Sequence, residues 1–349
     1  MTNAARRVLE AGVTAGVFPA AAIEVGTATE VLWSDAVGRL TFDSGSPATG
    51  PDTIFDLASL TKVLATATLT MQQIERGLLA LDDPVATYVA DWQRADRRAV
   101  TIRDLLSHCS GLPGHRPYYA RLTGRRAFQL AICEEPLEYA PGSAAVYSDL
   151  GFMLLGFILA PEEDLSRRMA ALLATMNVVE PLEFGVLPAL RQRVAPTSRD
   201  PWRGRLLVGE VDDDNASALG GIAGHAGLFG TAGAVGACAR HILQVLDNRR
   251  GAFTRETLDV FVTRRAGVPG SSRALGWDTM LPTSSCGTRM SPRAFGHTGF
   301  TGTSLWIDPD RGLYVVLLTN RVYPDRQDRG IQEVRRAVHD AVMDTLPAM

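Results

Sequence analysis

The chain of 349 residues is 46% hydrophobic and 21% charged, which is the composition of an ordinary globular protein with a large core. Its formal net charge of −3 gives no reason to expect nucleic acid or an anionic membrane as a partner. The longest apolar run, 151–160, is too short to span a bilayer, so no membrane-spanning segment is predicted.

Hydrophobic periodicity and turn residues divide the chain into segments of different type. The N-terminal part begins with a helix and continues with two strands joined by a short turn, which indicates a hairpin. A buried helix that ends at Gly77 follows, and the pattern stays mostly helical as far as about residue 190. The predicted elements of this part are a helix over 4–15, strands over 20–25 and 30–37, and a helix over 59–76.

The C-terminal part returns to strands. After a loop-like stretch, a helix leads toward three strands, and a further helix closes the chain. The predicted elements are a loop over 196–230, a helix over 231–246, strands over 294–298, 303–308 and 313–320, and a helix over 332–346. Paired arginines such as Arg6-Arg7 and Arg335-Arg336 are interpreted as solvated helix faces.

Strands at both ends with helices between them predict an α/β fold of the α+β type. One antiparallel sheet is assembled from both termini and is flanked by helices, and the middle of the chain forms an inserted, mostly helical subdomain. The predicted boundaries place the sheet domain at 1–58 and 220–349 and the helical subdomain at 59–219. A site between the two domains is expected.

The cysteines and the N-terminal residues indicate the cellular compartment of the protein. Cys109, Cys133, Cys238 and Cys286 are far apart and lack the spacing of metal ligands, which favours reduced thiols. Residues 1–11 are too broken in hydrophobicity to form the apolar core of a signal peptide. We therefore expect a cytoplasmic protein.

No metal or cofactor site is predicted. The acidic run Asp212-Asp213-Asp214 lacks the glycine and the distal glutamate of a calcium-binding loop, so we interpret it as a solvated loop. No glycine-rich phosphate-binding loop follows a strand, so no nucleotide cofactor is expected. His108 and His225 are followed by small residues and are interpreted as packed or hydrogen-bonded loop residues.

Lys62 is the single lysine among the 35 lysine and arginine residues, and it lies three positions after Ser59. A lysine amine that is desolvated or placed beside positive charge can lose its proton near neutral pH, whereas arginine stays protonated. Such an amine takes a proton from a neighbouring hydroxyl, and Ser59 offers one. The pair therefore predicts an activated serine.

The spacing supports this pairing, because residues three apart on a helix share one face with Cβ atoms about 5–6 Å apart. Ser59 would lie at the helix N-terminus, where free backbone N–H groups can stabilise an anionic oxygen. The alternative is that Ser59 only caps the helix and that Lys62 is an ordinary surface cation. The spacing by itself leaves both interpretations open.

Two further motifs follow in order: Tyr147-Ser148-Asp149 before an apolar helix, and His297-Thr298-Gly299 in a predicted strand. With the run from Ser59 to Lys62, they resemble the Ser-x-x-Lys, Tyr-x-Asn and Lys-Thr-Gly motifs of the penicillin-recognising serine hydrolases. That superfamily includes class C β-lactamases, D-alanyl-D-alanine carboxypeptidases and family VIII-type esterases. The resemblance extends from about residue 18 to residue 321 and implies a β-lactamase/transpeptidase-like fold.

The resemblance implies a role for each motif residue. Ser59 would be the nucleophile of an acyl-enzyme mechanism, and Lys62 would hold or take its proton. Tyr147, acidified by Lys62, would pass the proton to the leaving group and later activate water. The backbone N–H groups of Ser59 and Phe300 would form the oxyanion hole. Gly299 would let the strand approach the substrate closely.

The resemblance also implies which residues contact the substrate, namely Asp149, His297, Thr298, Gly299 and Phe300. Asp149 replaces the usual asparagine and adds negative charge near the nucleophile, which disfavours an acidic substrate. His297 replaces the lysine that helps attract a carboxylate in most β-lactamases, and it is mostly neutral at pH 7 unless a neighbour such as Asp149 raises its pKa. Both changes argue against efficient β-lactam hydrolysis.

Three functions remain open. The favoured one is a serine hydrolase that acts on esters or small amides through an acyl-enzyme, as a β-lactamase-like esterase does. The second is a β-lactamase or a D-alanyl-D-alanine carboxypeptidase. The third is a ligand-binding module that keeps a penicillin-binding-like fold without turnover. All three imply a small-molecule ester, amide or β-lactam as the partner.

Overall fold

The computed structural model describes residues 2–161 and 165–345. The strands are, in chain order, β1 (Ala20–Gly26), β2 (Val31–Gly38), β3 (Phe55–Asp56), β4 (Leu182–Phe184), β5 (Arg199–Asp200), β6 (Arg205–Leu206), β7 (Leu228–Gly230), β8 (Asp278–Thr279), β9 (Phe295–Thr298), β10 (Ser304–Asp308) and β11 (Leu313–Thr319).

The helices are α1 (Thr2–Thr14), α2 (Thr68–Glu75), α3 (Ile102–Leu106), α4 (Arg125–Glu134), α5 (Asp149–Leu159), α6 (Leu165–Thr175), α7 (Asp214–Ala218), α8 (Ala232–Leu246), α9 (Arg255–Val262) and α10 (Ile331–Thr345). A π-helical segment, Lys62–Ala67, runs directly into α2. Short 3₁₀ segments lie at Val85–Thr87, Tyr118–Ala120 and Pro188–Arg193.

The main sheet has six strands in the order β2-β1-β11-β10-β9-β8, and every neighbouring pair is antiparallel. Two neighbouring inner strands come from opposite ends of the chain, since β1 pairs with β11 from Ala21↔Thr319 to Gly26↔Tyr314. The predicted antiparallel sheet assembled from both termini is thereby confirmed.

Side chains alternate between the two faces of this sheet, and β1 and β11 are buried on both faces. Ile23 and Val25 of β1 join a cluster that includes Leu9 of α1 and Val338 of α10. Ala22 of the same strand belongs to a larger cluster that includes Ile242 of α8 and extends into the helical part of the chain. Because both faces are covered, the central strands appear in the sequence as continuous apolar runs.

The middle of the chain forms the predicted, mostly helical insertion. α5 is buried along most of its length and packs against the π-helical segment and against α2, α3 and α4. A small sheet with the order β3-β7-β4 lies beside this insertion and contains β3, the strand that precedes Ser59. The sequence analysis misses these short strands, because two or three residues show no alternation.

The other predicted helices and strands begin and end within a few residues of those observed, although Leu346, the predicted end of the last helix, lies outside the described residues. In 2–161 and 165–345, no helix is both long enough and apolar enough to cross a bilayer. All four cysteines are buried free thiols.

One arginine of the predicted solvated pairs is placed differently. Arg335 is only 6% exposed and lies on the buried stripe of α10 with Ile331, Val338 and Val342. These residues follow the i, i+4, i+7, i+11 spacing of one helix face. The interpretation of Arg335 as part of a solvated face is therefore wrong, whereas Arg336 beside it is partly exposed.

Candidate active site

Ser59 lies in a turn between β3 and the helix that begins at Leu60. The turn has a left-handed backbone at Ala58, whose φ is +46°. The N–H of Ala58 donates to the Asp56 carboxylate at 2.8 Å, and its carbonyl accepts the N–H of Thr61 at 3.0 Å. The backbone N–H of Ser59 donates to no acceptor among the described residues. A free donor is thus left beside the Ser59 hydroxyl.

Lys62 lies behind Ser59 and is completely buried. Its Nζ atom lies 2.9 Å from Ser59 Oγ, 2.7 Å from Asp149 Oδ1 and 3.2 Å from the His225 carbonyl oxygen. Burial lowers the pKa of Lys62, but Asp149 and Tyr147 together raise the pKa by more, so it lies above its ordinary value. Lys62 is therefore an ammonium ion at neutral pH, and the predicted loss of its proton near pH 7 is wrong for the free protein.

Asp149 is the first residue of α5, and the Ser148 side chain caps this helix by accepting the N–H of Gly151 at 3.2 Å. Burial raises the pKa of Asp149, but Lys62 and His115 lower the pKa by more, and it lies well below its usual range. Asp149 and Lys62 are thus an ion pair. The negative charge that was expected to repel an acidic substrate is paired with a cation.

The ring of Tyr147 lies between two cations. Lys62 Nζ is 4.7 Å and the Arg273 guanidinium carbon is 5.1 Å from the centre of the ring. Burial raises the pKa of the Tyr147 phenol, and although Lys62 and the Ser59 hydroxyl lower the pKa, burial dominates. The predicted acidification by Lys62 is therefore present but outweighed, and Tyr147 is a neutral phenol at neutral pH.

His297 and Thr298 lie on β9, which is the second strand from the edge of the sheet and not the edge strand. The short β8 pairs only with Phe295 and Gly296, so the last two residues of β9 have no strand neighbour on that side. His297 is buried, and burial lowers its pKa well below the ordinary value, with Arg273 adding to the effect. His297 is thus neutral at pH 7.

Gly299 and Phe300 begin the turn that follows β9. A Cβ atom on Gly299 would lie 2.6 Å from the Leu57 carbonyl oxygen and 2.1 Å from Thr303 Oγ1. Glycine is thus required at this position because the turn packs against the segment before Ser59. This packing explains the glycine without the predicted close approach of the strand to the substrate. The N–H of Phe300, like that of Ser59, has no acceptor in the part of the chain that the structure describes.

Two cavities adjoin the nucleophile, and Ser59, Tyr147 and Phe300 line both of them. The arginine-lined cavity has a volume of about 350 Å³, and the aspartate-lined cavity has a volume of about 410 Å³. The further residues of the arginine-lined cavity include His297, Thr298, Gly299, Arg273, Arg321 and Arg335. Those of the aspartate-lined cavity include Asp149, Asp212, Asp213, Asp214 and Arg326.

The structure brings all eight sequence-predicted site residues together. Seven of them line one or both cavities, and Lys62 lies buried behind Ser59. The predicted set is Ser59, Lys62, Tyr147, Asp149, His297, Thr298, Gly299 and Phe300.

Arg273 is a site residue that the sequence analysis missed. It lies in the loop before β8, and its guanidinium makes no hydrogen bond or ion pair with any residue that the structure describes. No pattern distinguishes one loop arginine from the others in the sequence. The burial of Arg335 could have been predicted from the sequence, because Arg335 lies on the apolar stripe of α10.

The acidic run interpreted as a solvated loop belongs to a buried ion-pair network. Asp212 and Asp214 pair with Arg326 at 3.0 Å and 2.9 Å, and Asp213 Oδ1 lies 2.9 Å from His225 Nε2. Asp212 is only 2% exposed. The solvated-loop prediction is therefore wrong, because an arginine more than one hundred positions away in the sequence covers the run.

The two loop histidines are packed and hydrogen-bonded, as predicted. His108 Nδ1 accepts the N–H of Ser148 at 3.0 Å, and its ring lies 4.7 Å from that of Tyr147. His225 is buried and contacts Asp213 through Nε2. Both histidines contact a site residue, since the His108 ring packs on Tyr147 and the His225 carbonyl accepts a hydrogen bond from Lys62 Nζ.

Comparison with known proteins gives concordant matches. Residues 5–339 match the family model described as Beta-lactamase. A putative D-alanyl-D-alanine carboxypeptidase of Escherichia coli (strain K12) is 32% identical over 314 residues, which cover 77% of this chain and 69% of that protein. An N-acetylmuramyl-L-alanine amidase of Bacillus subtilis (strain 168) is 32% identical over 310 residues, with coverage of 77% and 68%. The solved class C beta lactamase from Rhodobacter sphaeroides aligns with a TM-score of 0.77 at 19% identity, covering 99% of this chain and 100% of that one.

Proposed function

Because the chain belongs to the Beta-lactamase family, we propose that it is a serine hydrolase that cleaves esters or small amides through an acyl-enzyme on Ser59. The observation that carries the proposal is the 2.9 Å contact between Ser59 Oγ and Lys62 Nζ. Beside it, the backbone N–H groups of Ser59 and Phe300 have no acceptor in the described part of the chain. A nucleophile, a proton-handling group and oxyanion donors are then present at one place.

Acylation begins when Ser59 Oγ attacks the carbonyl carbon of the substrate. A new C–O bond forms as the hydroxyl proton leaves for the Lys62–Tyr147 pair, and the N–H groups of Ser59 and Phe300 bind the resulting oxyanion. The bond to the leaving group then breaks, and Tyr147 donates the proton to the departing oxygen or nitrogen. Water repeats these steps as the second nucleophile, releasing the acid and restoring Ser59.

The protonation state of the free protein limits this chemistry. Lys62 is an ammonium ion and Tyr147 is a neutral phenol, because the pKa values of both groups are raised. One proton must therefore leave the Lys62–Tyr147 pair before the pair can accept the proton of Ser59. The rate of acylation is accordingly expected to increase with pH above neutrality.

Arg273 favours the second candidate function, a β-lactamase or D-alanyl-D-alanine carboxypeptidase. Its guanidinium has no hydrogen-bond or ion-pair partner among the described residues, lines the same cavity as Ser59 and presents planar donors that suit a carboxylate. It supplies the positive charge that the neutral His297 does not. The Escherichia coli relative at 32% identity carries the carboxypeptidase name. A substrate with a free carboxylate is therefore consistent with this site despite His297.

The proposal is tested by intact-mass spectrometry after incubation with a fluorophosphonate probe. The wild-type protein should gain one adduct on the peptide that contains Ser59, and Ser59→Ala should gain none. Ser44→Ala, which alters an exposed serine, is the matched control and should label like the wild type. Labelling at another serine, or no labelling of the folded protein, would overturn the proposed mechanism.

The substrate class is tested by turnover of a small panel. We expect hydrolysis of p-nitrophenyl acetate, and comparison of kcat/KM for this ester, nitrocefin and a D-alanyl-D-alanine peptide separates the two candidate functions. A higher value for the peptide or for nitrocefin would favour the second candidate. Labelling of Ser59 without turnover of any member would favour the ligand-binding module.

A further inference from the structure

Two arginines that are distant in sequence, and that both line the arginine-lined cavity, donate to carbonyls of the turn 299–303. Nη2 of Arg335 donates to the Gly299 carbonyl at 2.7 Å and to the Thr303 carbonyl at 2.9 Å. Nε of Arg321, which follows β11, donates to the Phe300 carbonyl at 2.7 Å. The carbonyls of Gly299, Phe300 and Thr303 are therefore bound to cations, and the Gly299 carbonyl also accepts the N–H of Gly302 at 3.1 Å. The N–H of Phe300 has no acceptor among the described residues.

Arg335 is a buried cation that forms no ion pair with the described residues, although the charge of Asp328 acts on it from a distance. It is only 6% exposed, and no carboxylate of the described residues lies within ion-pair distance. Burial and the nearby Arg321 lower the pKa of Arg335 to about 10, which still leaves it protonated at neutral pH. A hydrophobic side chain could fill this place without the cost of desolvating a charge. The charge is stabilised here by the carbonyl groups of Gly299 and Thr303.

The carbonyl of Gly299 and the N–H of Phe300 belong to one peptide unit. This unit is trans and planar, so its C=O and N–H point in opposite directions and a donor on the oxygen fixes the direction of the N–H. A donor on the oxygen also polarises the unit, and cooperative strengthening is about 10–30% per bond. Arg321 acts on the next unit, whose N–H belongs to Thr301.

From these contacts we infer that Arg335 is a positioning residue of the oxyanion hole, which aims and polarises the Gly299–Phe300 peptide toward the substrate oxygen. Arg335 acts through the N–H of Phe300 and needs no contact with the reacting atoms. The inference rests on the proposed function, because it gives Arg335 a part in acyl transfer from Ser59.

Arg335→Met tests the inference, since it removes the guanidinium and keeps an apolar stem of similar length. Removal of a whole oxyanion donor costs about 10²–10³ in rate. Here the donor remains but is less polarised, so kcat for p-nitrophenyl acetate should fall by about 10- to 100-fold with KM nearly unchanged. Arg335→Lys keeps the charge and should recover part of the loss.

A boronic acid provides a readout that a merely structural role would not change. An alkyl boronic acid forms a tetrahedral anionic adduct on a serine, and one adduct oxygen occupies the oxyanion hole. Its affinity should fall in Arg335→Met by the same factor as kcat, while KM for the ester stays constant. A boronic acid that binds Arg335→Met as tightly as the wild type would contradict the inference.

Arg336→Met is the matched control on the same helix. Arg336 also donates to two backbone carbonyls, those of Ser284 at 2.7 Å and Pro282 at 3.0 Å, but these belong to a different loop. Its kcat should equal that of the wild type. Arg321→Met should lose less than Arg335→Met, because the carbonyl that Arg321 binds is not part of the donor peptide.

Thermal unfolding identifies variants that fail to fold. If Arg335→Met does not fold, Arg335→Lys decides: a reduced kcat with constant KM supports the inference, and a wild-type kcat overturns it. A folded Arg335→Met with unchanged kcat also overturns it, as does a raised KM with unchanged kcat, which would make Arg335 a substrate-binding group. Failure of the proposed function differs, since the wild-type protein would then neither hydrolyse the ester nor be labelled at Ser59.

Discussion

The two halves of the proposed oxyanion hole are built in different ways. The half that contains Ser59 is local, because its turn is fixed by hydrogen bonds between residues two and three positions apart. The N–H of Ala58 donates to Asp56, and the N–H of Thr61 donates to the Ala58 carbonyl. A short run of sequence therefore fixes the turn itself, and the distant Leu228 joins the turn to the small sheet by accepting the N–H of Leu57 at 2.9 Å.

The half that contains Phe300 combines two hydrogen bonds within its turn with contacts from distant parts of the chain. The N–H of Gly302 donates to the Gly299 carbonyl at 3.1 Å, and the N–H of Gly299 donates to the Thr303 carbonyl at 2.7 Å. Its turn is held by Arg321 and by Arg335, and it packs against the Leu57 carbonyl through Gly299. Arg321 lies 21 positions and Arg335 lies 36 positions from the residue whose carbonyl each one binds, so neither arginine adjoins the His297-Thr298-Gly299 motif. The comparison shows that a sequence motif can locate an oxyanion donor, while some of the side chains that orient the donor lie far from the motif in sequence.

The largest effect is expected from a change in the local half. Lys62→Arg keeps the positive charge but places a larger, permanently protonated group where no side-chain surface is exposed. The value of kcat/KM for p-nitrophenyl acetate should fall by about 10³-fold, within the range for loss of a proton-transfer group. Steady-state kinetics checks this.

A double variant separates chemistry from folding in this first case. Lys62→Met together with Asp149→Asn removes both charges of the ion pair, so no buried charge is left unpaired. The double variant should fold and remain inactive. Near wild-type activity in Lys62→Arg would show that Lys62 serves only as a cation, and the local half would then need no proton acceptor at this position.

Gly299→Ala should force the two halves apart. The added Cβ would overlap the Leu57 carbonyl oxygen and Thr303 Oγ1, so we expect a loss of about 1–3 kcal/mol in the free energy of unfolding. Displacement of the Phe300 donor should lower kcat by about 10²-fold. Urea unfolding and kinetics measure the two effects. Gly267→Ala is the control, because a Cβ there would meet nothing within 4 Å and both quantities should stay constant.

Arg273→Gln tests whether the assembled half also selects the substrate. A hydrogen bond to a charged group contributes about 1.5–3 kcal/mol, so kcat/KM for a substrate with a free carboxylate should fall by about 10- to 100-fold. The neutral ester should lose much less. Arg293→Gln, at an exposed arginine outside both cavities, is the control. Equal losses for both substrates would show that Arg273 does not bind the carboxylate.

The smallest effect is expected from Asp149→Asn, which restores the amide that the family pattern has here. Asp149 raises the pKa of Lys62 and that of Tyr147, so its removal should lower both. Because the pair must lose a proton before acylation, the alkaline rise of kcat/KM should move to lower pH by about one unit. Asp247→Asn, at an exposed aspartate, should leave the pH profile in place. A rise that stays in place or moves to higher pH would contradict its assignment to proton loss from the Lys62–Tyr147 pair.

Much of the fold could be predicted because the long elements carry a clear period. The apolar runs of β1 and β11 and the amphipathic pattern of α10 indicate buried strands and a packed helix. The two-residue β8 has no period, yet its length decides that His297 and Thr298 remain unpaired on one side. The unpaired strand edge at His297 and Thr298 therefore could not be predicted from hydrophobic periodicity.

The candidate site was predictable where its residues adjoin one another or match a motif. Lys62 lies three positions after Ser59, which directly precedes the helix, and the contact between their side chains agrees with that spacing. The protonation state of Lys62 could not be predicted in this way, because it depends on Asp149 from a different helix. Arg273 was not predictable either, since its place in the cavity depends on a loop. Charge pairs between residues that are distant in sequence, such as Lys62 and Asp149, cannot be predicted from a sequence pattern.

That Lys62 is the single lysine makes this protein unusually suited to selective spectroscopy. Growth on isotopically labelled lysine would introduce one labelled ammonium group, and that group lies at the centre of the site. Its resonance would follow proton loss, ligand binding and acylation without assignment of any other signal. Because Lys62 is fully buried, amine-directed reagents find no exposed lysine side chain in the folded protein. The onset of their reaction with Lys62 on heating would therefore report the opening of the site separately from changes elsewhere.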